Sequence, residues 1–445
     1  MPETPSQKNK LGLWTSTSLV VGNMIGAGVF LMPTALASYG GIGLFGWIFS
    51  AIGAFLLAKV FSNLSKLLPN ADGGPYAYSR KGFGDFTGFL VAWGYWISIW
   101  CANAAIAVSL VSALSTFFPL LATNTALAAA TGLGSIWLLT WVNTLGIVTS
   151  GKLQLITTVL KIIPLVVVAV GGLFFFRLSN FIPFNTSGLS DFAAITATAT
   201  LTFYAFLGIE CATIPSGNTI NPEKTISRAT MLGTLIATII YILSSASIMG
   251  MISAKELQHS VTPFADAAVM IWGNSAKYWV SAGVAIAAFG ALNGWILIQG
   301  QVPYAASKDK LFPAVFSKKN KKGVPALGII ISSILVSVLM TMNYTRGLAE
   351  QFKFLILLST LTVLVPYLFS AAAYIMIRLE NKYLKAGGGW ISAIVLAILA
   401  FSFSLWAIAG SGYETVYWGF ILLMTGVPFY VIIHWKKNSS ETTKE

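Results

Sequence analysis

Several residues in this chain are out of keeping with the apolar runs that hold them. Three glycines and an asparagine interrupt the first run, in Gly22-Asn23-Met24-Ile25-Gly26-Ala27-Gly28. Asn103 is an amide and Glu210 a carboxylate inside other apolar stretches. Lys161 lies about nine residues into a further one, roughly 13 Å at helical rise. In lipid every backbone N–H and C=O must find a partner, so the glycine and asparagine stretch predicts a local unwinding that lines a cavity. Unwinding leaves two half-helices. The free N–H groups at one N-terminus suit a carboxylate, and the free carbonyls at the other break suit a cation or amine. An amino acid carries both groups, so the chemistry on offer is binding.

The elements that position these residues follow from composition. Of 445 residues, 56% are hydrophobic and 9% charged, with apolar runs near the ~20 residues a bilayer span needs. Gly, Pro and charge breaks divide the chain into about twelve spans, roughly 12–36, 42–66, 85–117, 126–147, 152–176, 191–217, 227–252, 276–306, 324–343, 352–377, 389–408 and 413–435. The expected class is an all-α polytopic membrane protein. The residues ahead of the first span are mostly polar, and no short apolar stretch with a small-residue cleavage pattern precedes that span, so no removable signal is expected. Cys101 and Cys211 both fall in predicted spans, give no disulfide or metal spacing, and are expected to pack.

The net charge of +13 is arranged for a bilayer and not for nucleic acid. With the N-terminus in the cytoplasm, twenty lysines and arginines fall inside, whereas Arg177, Lys255, Lys277, Arg346 and Lys353 fall outside and Lys59 and Lys161 lie within spans. That asymmetry predicts a plasma membrane protein with both termini cytoplasmic. The loop 308–322 holds six lysines and one aspartate; it could meet anionic lipid heads, although its orienting role suffices.

Two spans carry a break of similar kind and stand five apart: the first, and the sixth with Phe206-Leu207-Gly208-Ile209-Glu210. Matching interrupted spans point to a transporter built from inverted repeats, with its site between the breaks near the midplane. The expected division is a tail 1–11, repeats over 12–180 and 190–380, two appended helices over 389–435, and a tail 436–445.

These residues, with Gly73-Gly74-Pro75-Tyr76-Ala77-Tyr78, Asn221-Pro222-Glu223-Lys224 and Val365-Pro366-Tyr367, resemble the amino acid–polyamine–organocation superfamily. Within it the chain is most similar to the basic amino acid/polyamine antiporters, the arginine/agmatine, lysine/cadaverine and ornithine/putrescine exchangers. The resemblance implies the leucine-transporter-type 5+5 inverted repeat with helices 1 and 6 broken. It places a substrate carboxylate on the amides around Ala27 and Gly28, and an α-amine near carbonyls of Met24, Ile25 and residues next to Gly208; Asn23, Leu207 and Gly208 also count among the implied substrate-binding residues. Asn103 would touch the substrate head group, Ile106 shape the pocket floor, and Trp295 stack on the distal end. Ser98 and Ser359 would sit nearby, Ser359 at the distal group. Tyr204 replaces a gating tryptophan, and Tyr76, Tyr95 and Glu210 would serve gating or pH sensing. Lys161 falls where the wider superfamily sets a lysine in place of sodium, bridging the first and eighth spans. The arginine/agmatine relatives also make a homodimer possible.

On residue chemistry alone three alternatives stay open. Asn103 must bond a helix neighbour or the ligand. Glu210, costly to leave unpaired, suits a proton-linked gate or caps broken backbone. Lys161 either snorkels to the cytoplasmic surface or takes a buried role. Aromatic faces such as Trp295 can hold a cationic substrate without a fixed anion, each worth up to ~2 kcal/mol when desolvated. The expected function is sodium-independent exchange of a cationic amino acid (arginine, ornithine or lysine) for a related amine or amino acid. A proton-coupled or facilitative permease is the alternative. Such a carrier needs no cofactor or metal. With only His259 and His434, an intramembrane catalytic constellation is not found, and paired broken helices favour an occluded site over a channel.

Overall fold

The computed structural model describes residues 10–26, 28–260, 262–342, 348–380 and 389–442. Ala27, Arg346 and the ends of both predicted tails therefore lie outside the described residues. Among the described residues eleven helices are long and apolar enough to cross a membrane, and the ninth expected span appears as the shorter apolar helix Ala326–Met342. Each expected span contains α-helix, although the sixth is α-helical only in its first half.

The first span is two helices, Leu13–Met24 and Gly28–Ala37. The sixth begins as Asp191–Phe203 and does not resume as α-helix: short 3-10 turns at Tyr204–Phe206, Cys211–Thr213 and Ser216–Asn218 carry the chain on. Its break is thus longer than the five residues expected. Gly208 has φ +112°, a conformation that only glycine adopts without strain, and Pro215 lacks the amide that a continued helix would use.

The spans pack as two groups. The second span (Gly43–Leu67) lies against the sixth and against the seventh (Pro222–Met251), which also covers the first. The third (Asp85–Leu114) lies against the eighth (Ala276–Lys308), and the ninth packs on the eighth and on the fourth (Thr125–Thr144). The fifth (Ile147–Gly172) touches the first, seventh and eighth, and the tenth (Leu348–Glu380) runs along the third. Small residues permit the close approaches that stand in for a hydrophobic driving force in lipid. A Cβ on Gly233 would lie 2.6 Å from Val20, and one on Gly300 would lie 2.3 Å from Ile329.

Two connecting segments carry helices of their own. The Gly73-Gly74 loop is irregular only at its glycines, with φ +95° and +53°; Pro75 then occupies the first turn of a helix over Pro75–Phe83. On the opposite side, Pro263–Trp272 forms a short helix between the seventh and eighth spans and meets the first span through Phe30 and Phe264, edge to face at 5.0 Å.

Candidate functional site

A helix leaves its last four carbonyls without intrahelical partners. At the end of Leu13–Met24 each of these four has found one. Val21 O accepts from Ile25 N at 2.8 Å, Gly22 O from Lys161 Nζ, Asn23 O from Trp295 Nε1 at 3.2 Å, and Met24 O from Gly26 N at 2.8 Å. Two of the partners are thus side chains of the fifth and eighth spans. Lys161 is fully buried, so it does not snorkel; its ammonium stands at the negative end of the half-helix, where a cation is favoured.

The two breaks meet. A Cβ on Gly208 would lie 3.1 Å from Asn23 Cβ and 3.3 Å from Met24 N. Between them is a small cavity, about 20 Å³, lined by Asn23, Met24, Gly26 and Gly28 of the first span, Ala102 and Ile106 of the third, Tyr204, Ala205 and Leu207 of the sixth, and Trp295. Among the described residues no charged side chain lines it. A cavity of that size holds about one water and not an amino acid. Tyr204 is the reason: a Cβ on Gly28 would lie 2.6 Å from its ring, so the ring covers the start of Gly28–Ala37, whose first amides lack intrahelical partners.

The other expected residues stand around this cavity rather than in it. Ile25 is buried beside it. Asn103 Nδ2 donates to Gln299 Oε1 at 2.8 Å, and its Oδ1 is buried without a partner. Ser98 Oγ donates to Tyr95 O at 2.7 Å and Ser359 Oγ to Ser98 O at 2.9 Å, which ties the tenth span to the third. Glu210 is fully buried and its carboxylate accepts from the hydroxyls of Tyr95 and Tyr367. One side chain of the sixth-span break therefore joins the third and tenth spans. Cys211 does more than pack, since its Sγ accepts from Asn23 Nδ2 at 3.0 Å.

Sequence reasoning placed Tyr367 in a motif without a role and passed over Gln299, Asn143, Gln154 and Asn293. The signal was present: each is a carboxamide in an apolar run, the same feature that singled out Asn103.

Tyr76 closes the end of the bundle at which the second and third spans connect. It is buried and its hydroxyl donates to Asp309 Oδ2 at 2.7 Å, next to the Arg80 bridges to Asp309 and Asp85, both 2.8 Å. Burial, and then the bond to Asp309, push the Tyr76 hydroxyl well above the ordinary tyrosine range. It therefore stays protonated as a donor at every physiological pH, and does not itself titrate. The bridges are partly exposed, a class worth about 0.2–1 kcal/mol each. Asp309→Asn is accordingly expected to leave the protein folded and to speed alkylation of Cys211 from the Tyr76 side about 2- to 5-fold in a Cys101→Ala background. An unchanged rate would show that this contact does not hold the mouth shut.

Comparison with known proteins agrees with the arrangement. Residues 11–432 match the Amino acid permease family. The chain is similar to the cadaverine/lysine antiporter of Escherichia coli (strain K12), 34% identical with 96% of this chain and 95% of that protein covered. It is 32% identical to the arginine/agmatine antiporter of Chlamydia pneumoniae, covering 99% of this chain and 93% of that one. It is also 32% identical to the arginine/ornithine antiporter of Pseudomonas aeruginosa, over 93% and 88%. Two broken helices meeting at a buried cavity, and a match across nearly the whole chain, make this protein a membrane-embedded member of the amino acid permease family.

Proposed function

We propose that the protein exchanges a cationic amino acid, arginine, ornithine or lysine, for a related amine or amino acid by sodium-independent alternating access. It would do so in the plasma membrane with both termini cytoplasmic, and with 12–180 and 190–380 as its inverted repeats. The observation that carries this reading is the uncharged cavity between the two breaks, walled by Trp295 and Tyr204. The activities of the three relatives support it, since each is an antiporter of basic amino acids or their amines. The substrate carboxylate would take the amides at Gly28. The distal cation would lie on the Trp295 face, which attracts it without an anion whose grip would slow release. Tyr204 must swing off Gly28 to admit it.

A proton-coupled or facilitative permease is the second reading, favoured by the two buried ionisable groups Lys161 and Glu210. Uptake of labelled arginine into proteoliposomes separates the two. Vesicles loaded with arginine, ornithine, lysine, agmatine, cadaverine or putrescine are compared with empty ones, with and without a pH gradient. Uptake confined to vesicles holding a cationic partner supports exchange, and equal uptake into empty vesicles supports the permease.

Trp295→Ala is expected to weaken arginine binding about 10-fold or more, from the loss of a desolvated cation–π contact of about 1–2 kcal/mol. Asn103→Ala is expected to weaken it about 3- to 10-fold. Titration calorimetry on purified protein reads both; wild-type affinity in the two variants would move the site elsewhere.

A further inference from the structure

The interior carries more carboxamides than the cavity uses. Asn143 of the fourth span, Gln154 of the fifth, Asn293 of the eighth and Asn23 of the first are all buried. Asn143 Nδ2 donates to Asn293 Oδ1 at 3.1 Å, and Asn293 Nδ2 to Gln154 Oε1 at 3.2 Å. At the far end Asn23 Nδ2 donates to Cys211 Sγ. Every donor in this series points the same way, from the fourth span toward the sixth. One link is missing. Gln154 Nε2, a donor, and Asn23 Oδ1, an acceptor, are both buried and have no hydrogen-bond partner among the described residues. They also converge. A Cβ on Gly294 would lie 1.9 Å from Asn23 Oδ1 and 3.0 Å from Gln154 Nε2, and a Cβ on Gly22 would lie 2.0 Å from the same nitrogen. The Gln154 amide is thus slotted between glycines of the first and eighth spans, facing an acceptor of matching need. An unmade bond between two buried polar groups is costly, so a small turn that closes it is favoured.

We propose that Gln154 is a positioning residue for the broken first helix: its amide donates to Asn23 Oδ1 in part of the transport cycle and is released from it in the conformer seen here. Gln154 is anchored through Asn293, whereas Asn23 rides on the break. The Asn23 carbonyl takes the Trp295 N–H, so a shift of Asn23 moves one wall of the cavity. The effect on substrate recognition rests on the proposed transport function; the tie between Gln154 and the break does not.

Two measurements on the purified full chain test this. The first is backbone hydrogen–deuterium exchange over residues 20–28 without any substrate. Gln154→Leu removes the amide at similar length. Gln154→Glu keeps an acceptor for Asn293 but, ionised, offers no donor to Asn23. Both are expected to raise exchange over 20–28 by roughly 3- to 10-fold, and neither to raise it further in an Asn23→Ala background. The second is labelled-arginine counterflow, where Gln154→Leu is expected to raise KM several-fold with little change in the saturated rate. Wild-type hydrogen exchange in both Gln154 variants, or an increase that persists in full beside Asn23→Ala, would overturn the proposal. If Gln154→Leu does not fold, Gln154→Glu decides the matter with Asn293→Ala, which frees Gln154 and should give the same loosening. Should the wild type carry no cationic amino acid, the transport reading falls while the hydrogen-exchange result still decides the tie.

Discussion

Glu210→Ala is expected to abolish exchange, and Glu210→Gln to slow it about tenfold or more while flattening its dependence on pH. The carboxylate is fully buried in the sixth-span break and accepts from Tyr95 on the third span and Tyr367 on the tenth. The backbone around it depends on the same group of residues: Gly208 N lies 3.5 Å from Tyr367 Oη, and Thr213 donates through both N and Oγ1 to Glu210 O. Alanine would leave two buried hydroxyls without an acceptor, each costing about 1–3 kcal/mol, and a void beside them. Glutamine fills the volume but offers a single acceptor oxygen, and its NH2 can only donate, so one tyrosine must accept instead and its own hydrogen loses its partner. It also fixes the group in one charge state. The measurement is arginine counterflow between about pH 5.5 and 8.5 in wild type, Glu210→Gln, Tyr95→Phe and Tyr367→Phe. A pH profile in Glu210→Gln that follows the wild type would leave Glu210 with a role in holding the break alone. Matched loss in the two phenylalanine variants would show that the clasp, and not the charge, sets the rate.

The parts of this molecule that were legible in its sequence are those set by local composition. Spans follow from unbroken apolar runs of bilayer length, and the first break follows from Gly22, Gly26 and Gly28, because nothing in lipid satisfies an unwound backbone except a lined cavity. Residues lining that cavity, such as Tyr204 and Trp295, were reached through resemblance, since aromatic residues are too common in this chain to be singled out by type. What stayed hidden depends on contacts between distant segments. The partners of the orphan carbonyls, Lys161 for Gly22 and Trp295 for Asn23, lie 139 and 272 residues away. No spacing rule connects them. The helix at Pro75–Phe83 was masked by the glycines before it, and the full length of the sixth-span break by the apolar residues after Glu210, which read as a resumed helix. The carboxamide series was hidden differently. Each member was visible, but the cost of a buried amide says only that a partner exists.

Lys161→Met is expected to reduce exchange at least tenfold while leaving the protein folded, with stability changed by less than about 2 kcal/mol. Two opposing effects set that stability. The substitution strips the Gly22 carbonyl of its donor, which costs about 1–3 kcal/mol for a buried acceptor. It also removes a fully buried ammonium that has no salt bridge among the described residues, and replacing such a charge by an apolar side chain of like length is often neutral or stabilising. Transport has no such compensation. The ammonium holds the end of Leu13–Met24 from the fifth span, one residue before Asn23, so its loss frees the cavity wall that Trp295 also grips. Lys161→Gln separates position from charge: its amide can reach toward the carbonyl but carries no cation to meet the helix terminus. Partial exchange in Lys161→Gln with none in Lys161→Met would assign the lysine a positioning part. Equal loss in both would assign the work to its charge. Under the proposed sodium-independent reading Lys161 takes a cation's place, and wild-type uptake is then expected to be the same in sodium and choline chloride. Full exchange in Lys161→Met would leave Lys161 a buried filler, and uptake that requires sodium would remove the charge-substitution role outright.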